Sequence, residues 1–297
     1  MVKIKWQKEV NMNCWLVVNT FMDNEKFKNL YELLSTSFKK HGVSLAIKRA
    51  QDISLEVGKE IKNKPDFAIF WDKDIYLAER LEAQGIKLFN NSRAINLCDN
   101  KILMYQELTK HQIRIPRTFI APKTFEGLGY KNIDFVEEIV KEIGWPIVIK
   151  EAYGSFGEQV YLAHDSNEAK EIINHIGYHD FLIQEFVVSS KGKDIRINVV
   201  NDRAIVSMLR ENQDDFRSNI SSGGKGVKFT PEKEYLELAV KAAKALGLDF
   251  AGVDVLFGED GPIICEVNSN PQFASTLKAT GVNLADYIAD YILRQVC

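Results

Sequence analysis

The chain predicts an α/β unit built on a doubly wound parallel sheet, followed by an α+β unit, and three observations predict it. Short apolar runs alternate with amphipathic stretches from Cys14 to Phe89, the β-α-β-α order that makes a parallel sheet with helices on both faces. Ile115-Pro116 then interrupts the pattern, because the residue before a proline is pushed away from helical geometry. Finally, Asp249 to Asn270 reads as two apolar strands around Gly258-Glu259-Asp260-Gly261, an antiparallel hairpin that an all-parallel fold would not contain.

In order, the spacing predicts a strand at Cys14 to Val18 and a helix carrying Phe27, Leu30, Tyr31, Leu34 and Phe38 that stops near Gly42. It continues with a strand at Leu45 to Lys48, a helical stretch from Leu55, a strand at Phe67 to Trp71, a helix over Tyr76 to Ala83 and a strand at Lys87 to Phe89. The ligand crevice of such a sheet lies beyond its carboxyl ends, which makes Asn19, Asp72 and Asn90 candidates, although turn-forming Asn and Asp are common there anyway. Residues 1–11 are polar and aperiodic and read as a tail. A single helix is expected from Ser92 to His111, then a strand at Arg117 to Ala121, a helix at Phe135 to Ile143 and a strand at Pro146 to Lys150. The following Gly154-Ser155-Phe156-Gly157 is a mobile turn whose amides can close over phosphate, with Lys150 as a fixed charge beside it. Strands at Phe181 to Val187, Ile195 to Val200 and Ala204 to Leu209 come next, then a polar, glycine-rich loop through Ser221 to Gly226 and a helix over Pro231 to Leu246.

In the hairpin, a three-residue loop centred on Asp260 would pair Gly258 with Pro262, Leu256 with Ile264 and Asp254 with Glu266, with Asn268 on the same face. Two facing carboxylates and an amide offer hard oxygen ligands, suited to Mg²⁺ or Mn²⁺. The competing reading is an ordinary half-exposed hairpin with acidic side chains in water.

Composition narrows the function. The chain has 297 residues, 45% of them apolar, and no run long enough to cross a bilayer; a cytoplasmic protein without a membrane partner is expected. A net charge of −3 with both signs mixed argues against nucleic acid as a partner. Cys14, Cys98, Cys265 and Cys297 have no metal-ligand spacing and read as reduced core residues. His175 and His179 are four apart but lack a third ligand, and read as a solvated helix end.

Taken in order, Asp99-Asn100-Lys101, Lys150 with GSFG, QEFV at Gln184, KDIR at Lys193, FRSN at Phe216, GVDV at Gly252 and EVNSNP at Glu266 resemble the RimK-like carboxylate–amine ligases of the ATP-grasp superfamily. The likeness runs from about Asp99 to Ile292. It implies an ATP-grasp fold behind an N-terminal domain at 1–98, with a small lobe at 99–182 and a C-terminal lobe with the metal site at 183–297. It also implies roles. Lys101 and Lys150 would contact phosphates under the loop of Gly154, Ser155 and Gly157. Glu185, Phe186 and Val187 would flank the adenine and Asp194 the ribose; Arg217, Ser218 and Asn219 would lie on the phosphate side. Arg210, Arg217 and Arg196 would serve catalysis, and Asp254, Glu266 and Asn268 would hold Mg²⁺. The implied reaction is ATP-dependent formation of an amide through an acylphosphate. An amine such as glutamate would be added to a carboxylate on a peptide, a protein terminus or a small molecule; a catalytically silent ATP-binding regulatory or scaffold protein is the alternative, and homo-oligomerisation stays open. Two positions depart from the family pattern: Glu151 after the strand lysine, which is compatible with the phosphate chemistry, and Pro271-Gln272-Phe273 beyond the metal residues, which bears on the substrate.

Overall fold

The computed structural model of the chain describes residues 12–53, 56–155, 157–220 and 223–296. The expectations placed on residues 1–11, Leu55, Phe156, Ser221, Ser222 and Cys297 lie outside them. Strands β1 (Cys14–Val18), β2 (Leu45–Arg49), β3 (Phe67–Trp71) and β4 (Lys87–Phe89) form one parallel sheet in the order β2-β1-β3-β4. Its two faces separate by the alternation of side chains. Leu16, Val18, Phe67 and Ile69 pack against α1 (Glu25–Lys39), whereas Val17, Ala68, Phe70 and Leu88 pack against α2 (Ile75–Ala83). Both helices are opened by side-chain caps: Asn24 accepts from Phe27 N at 3.2 Å and Asp74 from Leu77 N at 3.0 Å. No helix occurs between residues 56 and 66; Ala50–Asp52 is a single 3₁₀ turn, and the described chain runs through turns to Asp66.

The helix expected from Ser92 to His111 is two, α3 (Ser92–Asp99) and α4 (Lys101–Lys110). Asn100 breaks it by adopting an extended backbone and accepting from the amides of Ile102 and Leu103 at 3.0 and 3.1 Å. An asparagine that caps the next helix competes with continuing the previous one.

A second sheet is antiparallel, with β5 (Thr118–Ile120), β6 (Ile147–Glu151), β7 (Val160–Ala163) and β8 (Phe181–Glu185) in the order β5-β8-β6-β7. Helices α5 (Asp134–Ile143) and α6 (Ser166–Ile176) cover one face through Val136, Ile139, Ala169 and Ile173. The third sheet, also antiparallel, takes β9 (Lys193–Val200), β10 (Arg203–Glu211), β11 (Lys225–Lys228), β12 (Phe250–Gly258) and β13 (Gly261–Asn268) in the order β11-β10-β9-β12-β13. Its apolar face is closed by α7 (Lys233–Ala245). The glycine-rich segment read as a loop therefore ends in an edge strand.

The hairpin differs from its expected register. Gly258 pairs with Gly261 across a two-residue loop, so Phe257 faces Pro262 and Leu256 faces Ile263, one residue away from the expected partners. A bulge at Cys265 then restores the count, and Asp254 faces Glu266 as expected. Without that extra residue every later side chain on β13 would turn to the opposite face.

After β13 come α8 (Ala274–Thr280) and α9 (Leu284–Val296). Leu284, Ile288 and Ile292 of α9 are fully buried in the same core as Leu16, Leu34 and Phe67, so the chain ends packed on the first sheet. Asn90 ties the two regions together. Its Nδ2 donates to Phe250 O (2.9 Å) and Ser269 O (2.8 Å), and its Oδ1 accepts from Asp249 N (2.6 Å) and Phe250 N (3.3 Å). Every hydrogen-bonding direction of that amide is used structurally. No helix among the described residues is long and apolar enough to cross a membrane.

Candidate active site

Strand pairing in the third sheet puts four charges on one face. Arg210 lies opposite Asp194, and Arg196 opposite Asp254. Arg196 grips Asp254 with Nε and with Nη2, the latter at 2.9 Å. Arg210 grips Asp194 with Nη2 and with Nε (2.7 Å), and reaches Asp254 Oδ2 at 2.9 Å. All four residues are at most 8% exposed. Burial alone would raise the pKa of Asp254, but the two guanidiniums beside it outweigh burial and hold it below its ordinary value. For Asp194 burial prevails and raises the pKa, against the shared Arg210 and a hydrogen bond from Ser218. Burial opposes the charge of Arg210, yet Asp194 and Asp254 together raise its pKa above normal. The Arg210 guanidinium, to which the resemblance gives a catalytic role, is the centre of a buried network of two guanidiniums and two carboxylates.

Two cavities flank this network. The first lies between the second and third sheets. Its walls carry Lys101, Lys150, Gly154, Ser155, Gly157, Glu185, Phe186, Val187, Asp194, Arg210, Arg217, Ser218, Asn219, Asp254 and Glu266. Lys150 is buried, with Nζ 3.2 Å from the Tyr105 hydroxyl. Lys101 Nζ stands 3.4 Å from Gly154 O and 3.8 Å from Glu266 Oε1. The glycine loop is held from three sides: Gln159 Oε1 accepts from Ser155 N (3.2 Å), Lys73 Nζ donates to Ser155 Oγ (3.1 Å), and Arg217 Nη1 donates to Gly157 O (2.6 Å). Gly157 has φ +79°, and a Cβ there would come within 3.0 Å of Asn219 Oδ1, so the position demands glycine. Phe186 and Phe216 meet edge to face at 6.3 Å, while Glu185 is tied to Arg117 N at 2.9 Å. About 110 Å³ is free inside, below the roughly 300 to 1,000 Å³ of ligand pockets.

The second cavity, of about 400 Å³, opens between the first sheet and the hairpin; Arg196, Asn268, Asn270 and Gln272 line it with Trp71, Asp72 and Lys73. Four residues belong to both cavities: Ser155, Arg210, Asn219 and Glu266. All the residues given nucleotide, catalytic or metal roles by the family resemblance thus line one cavity or the other, whereas the crevice candidates Asn19 and Asn90 line neither, and these four mark where the two cavities meet.

Hard oxygen donors are present for a divalent cation. The Glu266 side chain is 30% exposed, and Asn268 uses its nitrogen on Gly252 O at 3.3 Å, leaving the oxygen as its acceptor. Asp254 Oδ2 already accepts twice and Oδ1 once. In this arrangement Glu266 and Asn268 fit an oxygen-seeking cation, and Asp254 adds at most one remaining lone pair. No group of three or more His, Cys, Asp or Glu arranged to hold a metal occurs among the described residues.

Sequence reasoning gave no site role to Gln184, Lys193 or Cys265, which also line the first cavity, nor to Tyr105, whose hydroxyl contacts Lys150. Tyr105 donates to Cys265 O and contacts Gln184 Oε1 at 3.4 Å; its pKa is pushed up to about 12 by burial. Burial likewise pushes the Cys265 thiol to about 11, which keeps it protonated at neutral pH, in line with a core thiol. Gln184 and Lys193 open the QEFV and KDIR motifs without having been given a role, whereas Tyr105 and Cys265 lie in none of the motifs.

A family model described as the RimK-like ATP-grasp domain matches residues 98–292. An uncharacterized protein of Mycoplasma pneumoniae, the MG012 homolog, is 32% identical over 86% of this chain and 91% of its own length. N-acetylaspartylglutamate synthase A of Homo sapiens is 35% identical over 75% of this chain, which spans only 56% of the human protein. Among solved structures, the crystal structure of a RimK domain ATP-grasp protein from Sphaerobacter thermophilus superposes with a TM-score of 0.73 at 20% identity, covering 94% of this chain and 98% of that one. That likeness carries the fold.

Proposed function

Because the chain belongs to the RimK-like ATP-grasp family, we propose that it is an ATP- and Mg²⁺-dependent ligase that joins a carboxylate to an amine through an acylphosphate. The observation that carries this reading is the meeting of the two cavities at Ser155, Arg210, Asn219 and Glu266. A nucleotide in the first cavity and a carboxylate in the second would face each other there.

In this reading Lys150 and Lys101 hold the phosphates from the second-sheet side, the Gly154 to Gly157 loop closes over them, and Glu185 to Val187 border the base. Asp194 stands toward the ribose, with Arg217, Ser218 and Asn219 beside the phosphates. Glu266 and Asn268, with a share from Asp254, would hold the cation, which neutralises charge on the transferring phosphoryl oxygens. Arg210 and Arg196, fixed by their carboxylates, present guanidinium edges toward the junction. A donor that is already oriented costs no reorganisation when charge develops. The carboxylate oxygen attacks the γ-phosphorus and ADP leaves. The amine then attacks the carbonyl carbon, loses a proton, and phosphate departs with the former carboxylate oxygen. The amine we favour is an amino acid such as glutamate, an assignment supported by the human relative's name; the acid would be a small molecule, a peptide or a protein terminus.

The test is mass spectrometry of a cell extract incubated with the protein, Mg-ATP and a panel of amino acids. A new amide that depends on ATP is expected. ATP binding without any ATP-dependent product would leave a nucleotide-binding scaffold as the better description.

A further inference from the structure

At one end of the second sheet, three loops close around a cavity of about 490 Å³ that takes no part in the phosphate chemistry. They are 123–126, after β5; 151–153, where β6 ends; and 178–180, before β8. Its size falls within the roughly 300 to 1,000 Å³ of ligand pockets. The loops are tied to the sheet and to each other: Ala121 N donates to Phe181 O (3.1 Å), Ala152 N to Asp180 O (2.7 Å) and Thr124 Oγ1 to Gly129 O (2.8 Å). Glu151, the departure from the family pattern that the phosphate site leaves without a role, lies on this wall. Side chains alternate along a strand, so Lys150 enters the nucleotide cavity and Glu151 this one.

The wall combines open aromatic rings with carboxylates. Phe125, Tyr153 and Tyr178 line it and are 61%, 55% and 44% exposed. Glu151 Oε1 accepts from the Tyr161 hydroxyl at 2.9 Å, whereas its Oε2 stands 3.7 Å from His179 Nδ1, too far for a hydrogen bond. Lys123 is engaged by Asp180, 3.1 Å from both carboxylate oxygens. When His179 is neutral, the charge left on the wall is that of Glu126 and Glu151. Such a surface repels phosphates and attracts an organic cation, whose charge is drawn to the ring faces. A guanidinium fits it best, because it stacks flat on an aromatic ring and still presents a fork of N–H donors to a carboxylate. Rings this exposed do not enclose a free small molecule. One turn from Phe125, Leu128 is 60% exposed, its amide donating to Phe125 O at 3.0 Å, and it offers apolar surface to residues that flank the cation. We infer that this cavity docks an arginine side chain carried by a peptide or protein partner. The inference stands apart from the ligase reading, since neither nucleotide nor turnover enters it.

The test is an NMR titration of the isotope-labelled full chain, without nucleotide, with the acetylated and amidated peptide Gly-Leu-Arg-Leu-Gly. Control peptides carry citrulline, the neutral isostere of arginine, or lysine in its place, and free arginine amide and tetramethylammonium represent cations without a chain. Saturable shifts centred on the amides of 123–126, 151–153 and 178–180 are expected. The arginine peptide should bind about fivefold or more tightly than the citrulline peptide, the gain of a cation over exposed aromatic faces, and more tightly than the lysine peptide. Glu151→Gln and Tyr153→Ala should each weaken its binding, with an unchanged thermal melt reporting that the variants fold. The citrulline comparison needs no variant and stands whatever the substitutions do to folding. No saturable binding, equal binding of the citrulline peptide, shifts centred on either of the other cavities, or undiminished binding in a folded Glu151→Gln would overturn the inference. A lysine peptide that binds as tightly would overturn the choice of guanidinium. Free arginine amide or tetramethylammonium binding to the same loops as tightly as the peptide would assign the cavity to a small cation and overturn the peptide partner.

Discussion

Arg210 and Arg217 are both arginines of the candidate site, and their surroundings predict opposite costs of removal. Arg210→Met would leave Asp194 buried without its partner and take one of the two guanidiniums from Asp254. Breaking a buried pair from one side costs about 3–5 kcal/mol. Arg217 is paired with Asp215, two residues away, and their side chains are 26% and 22% exposed; its loss should cost less than about 1 kcal/mol in stability. Denaturant unfolding of the two variants checks the contrast, and equal destabilisation would mean the buried network contributes nothing special. The sequence placed Arg210 at the end of an apolar strand, which is where it lies. It did not reveal Asp194 opposite, because the β9–β10 register passes through an irregularity between Ala204 and Val206, and no short-range signal fixes a bulge.

Among elements, the hairpin and the last helix show what patterning can and cannot read. The Asp254–Glu266 pair was legible, although the reasoning that produced it combined a loop one residue too long with no allowance for the bulge at Cys265. Those two departures cancel at the functional pair. The destination of α9 was not legible, since an amphipathic stripe shows that a face is buried but not against what. Its docking on α1 combines apolar burial with a polar rim: Ile288 is fully buried, while Asp286 accepts from Ser37 Oγ and Lys40 Nζ, both at 2.6 Å, and its side chain is 40% exposed. Packing should dominate. Ile288→Ala is expected to cost about 2–5 kcal/mol, and Asp286→Asn less than about 1 kcal/mol because solvent screens the pair. Burial opposes the charge of Asp286, but Lys40 and Ser37 prevail and depress its pKa. Its small contribution is therefore present above the ordinary carboxylate range and lost as pH falls through the depressed value. Melting temperatures of both variants across that range check the ranking and the sign.

At the scale of the whole molecule, the parallel sheet, the α+β character of the remainder, the hairpin and the order of the motifs were readable, whereas the pairing of the other strands into two antiparallel sheets and the space between them were not. The division expected at 98/99 falls inside α3 and that at 182/183 inside β8, and α9 and Asn90 join the first part to the last. That closure makes the cavity wall on which Asp72 and Asn270 meet, Asn270 Nδ2 donating to Asp72 O at 2.8 Å. Our central claim is that the two cavities meet so that a carboxylate in one attacks the terminal phosphorus of ATP in the other. Oxygen-18 placed in the carboxylate of the acid substrate tests this most directly. The account predicts one ADP and one phosphate for each amide formed, with the label carried into the phosphate; release of AMP and pyrophosphate, with the label in AMP, would contradict it.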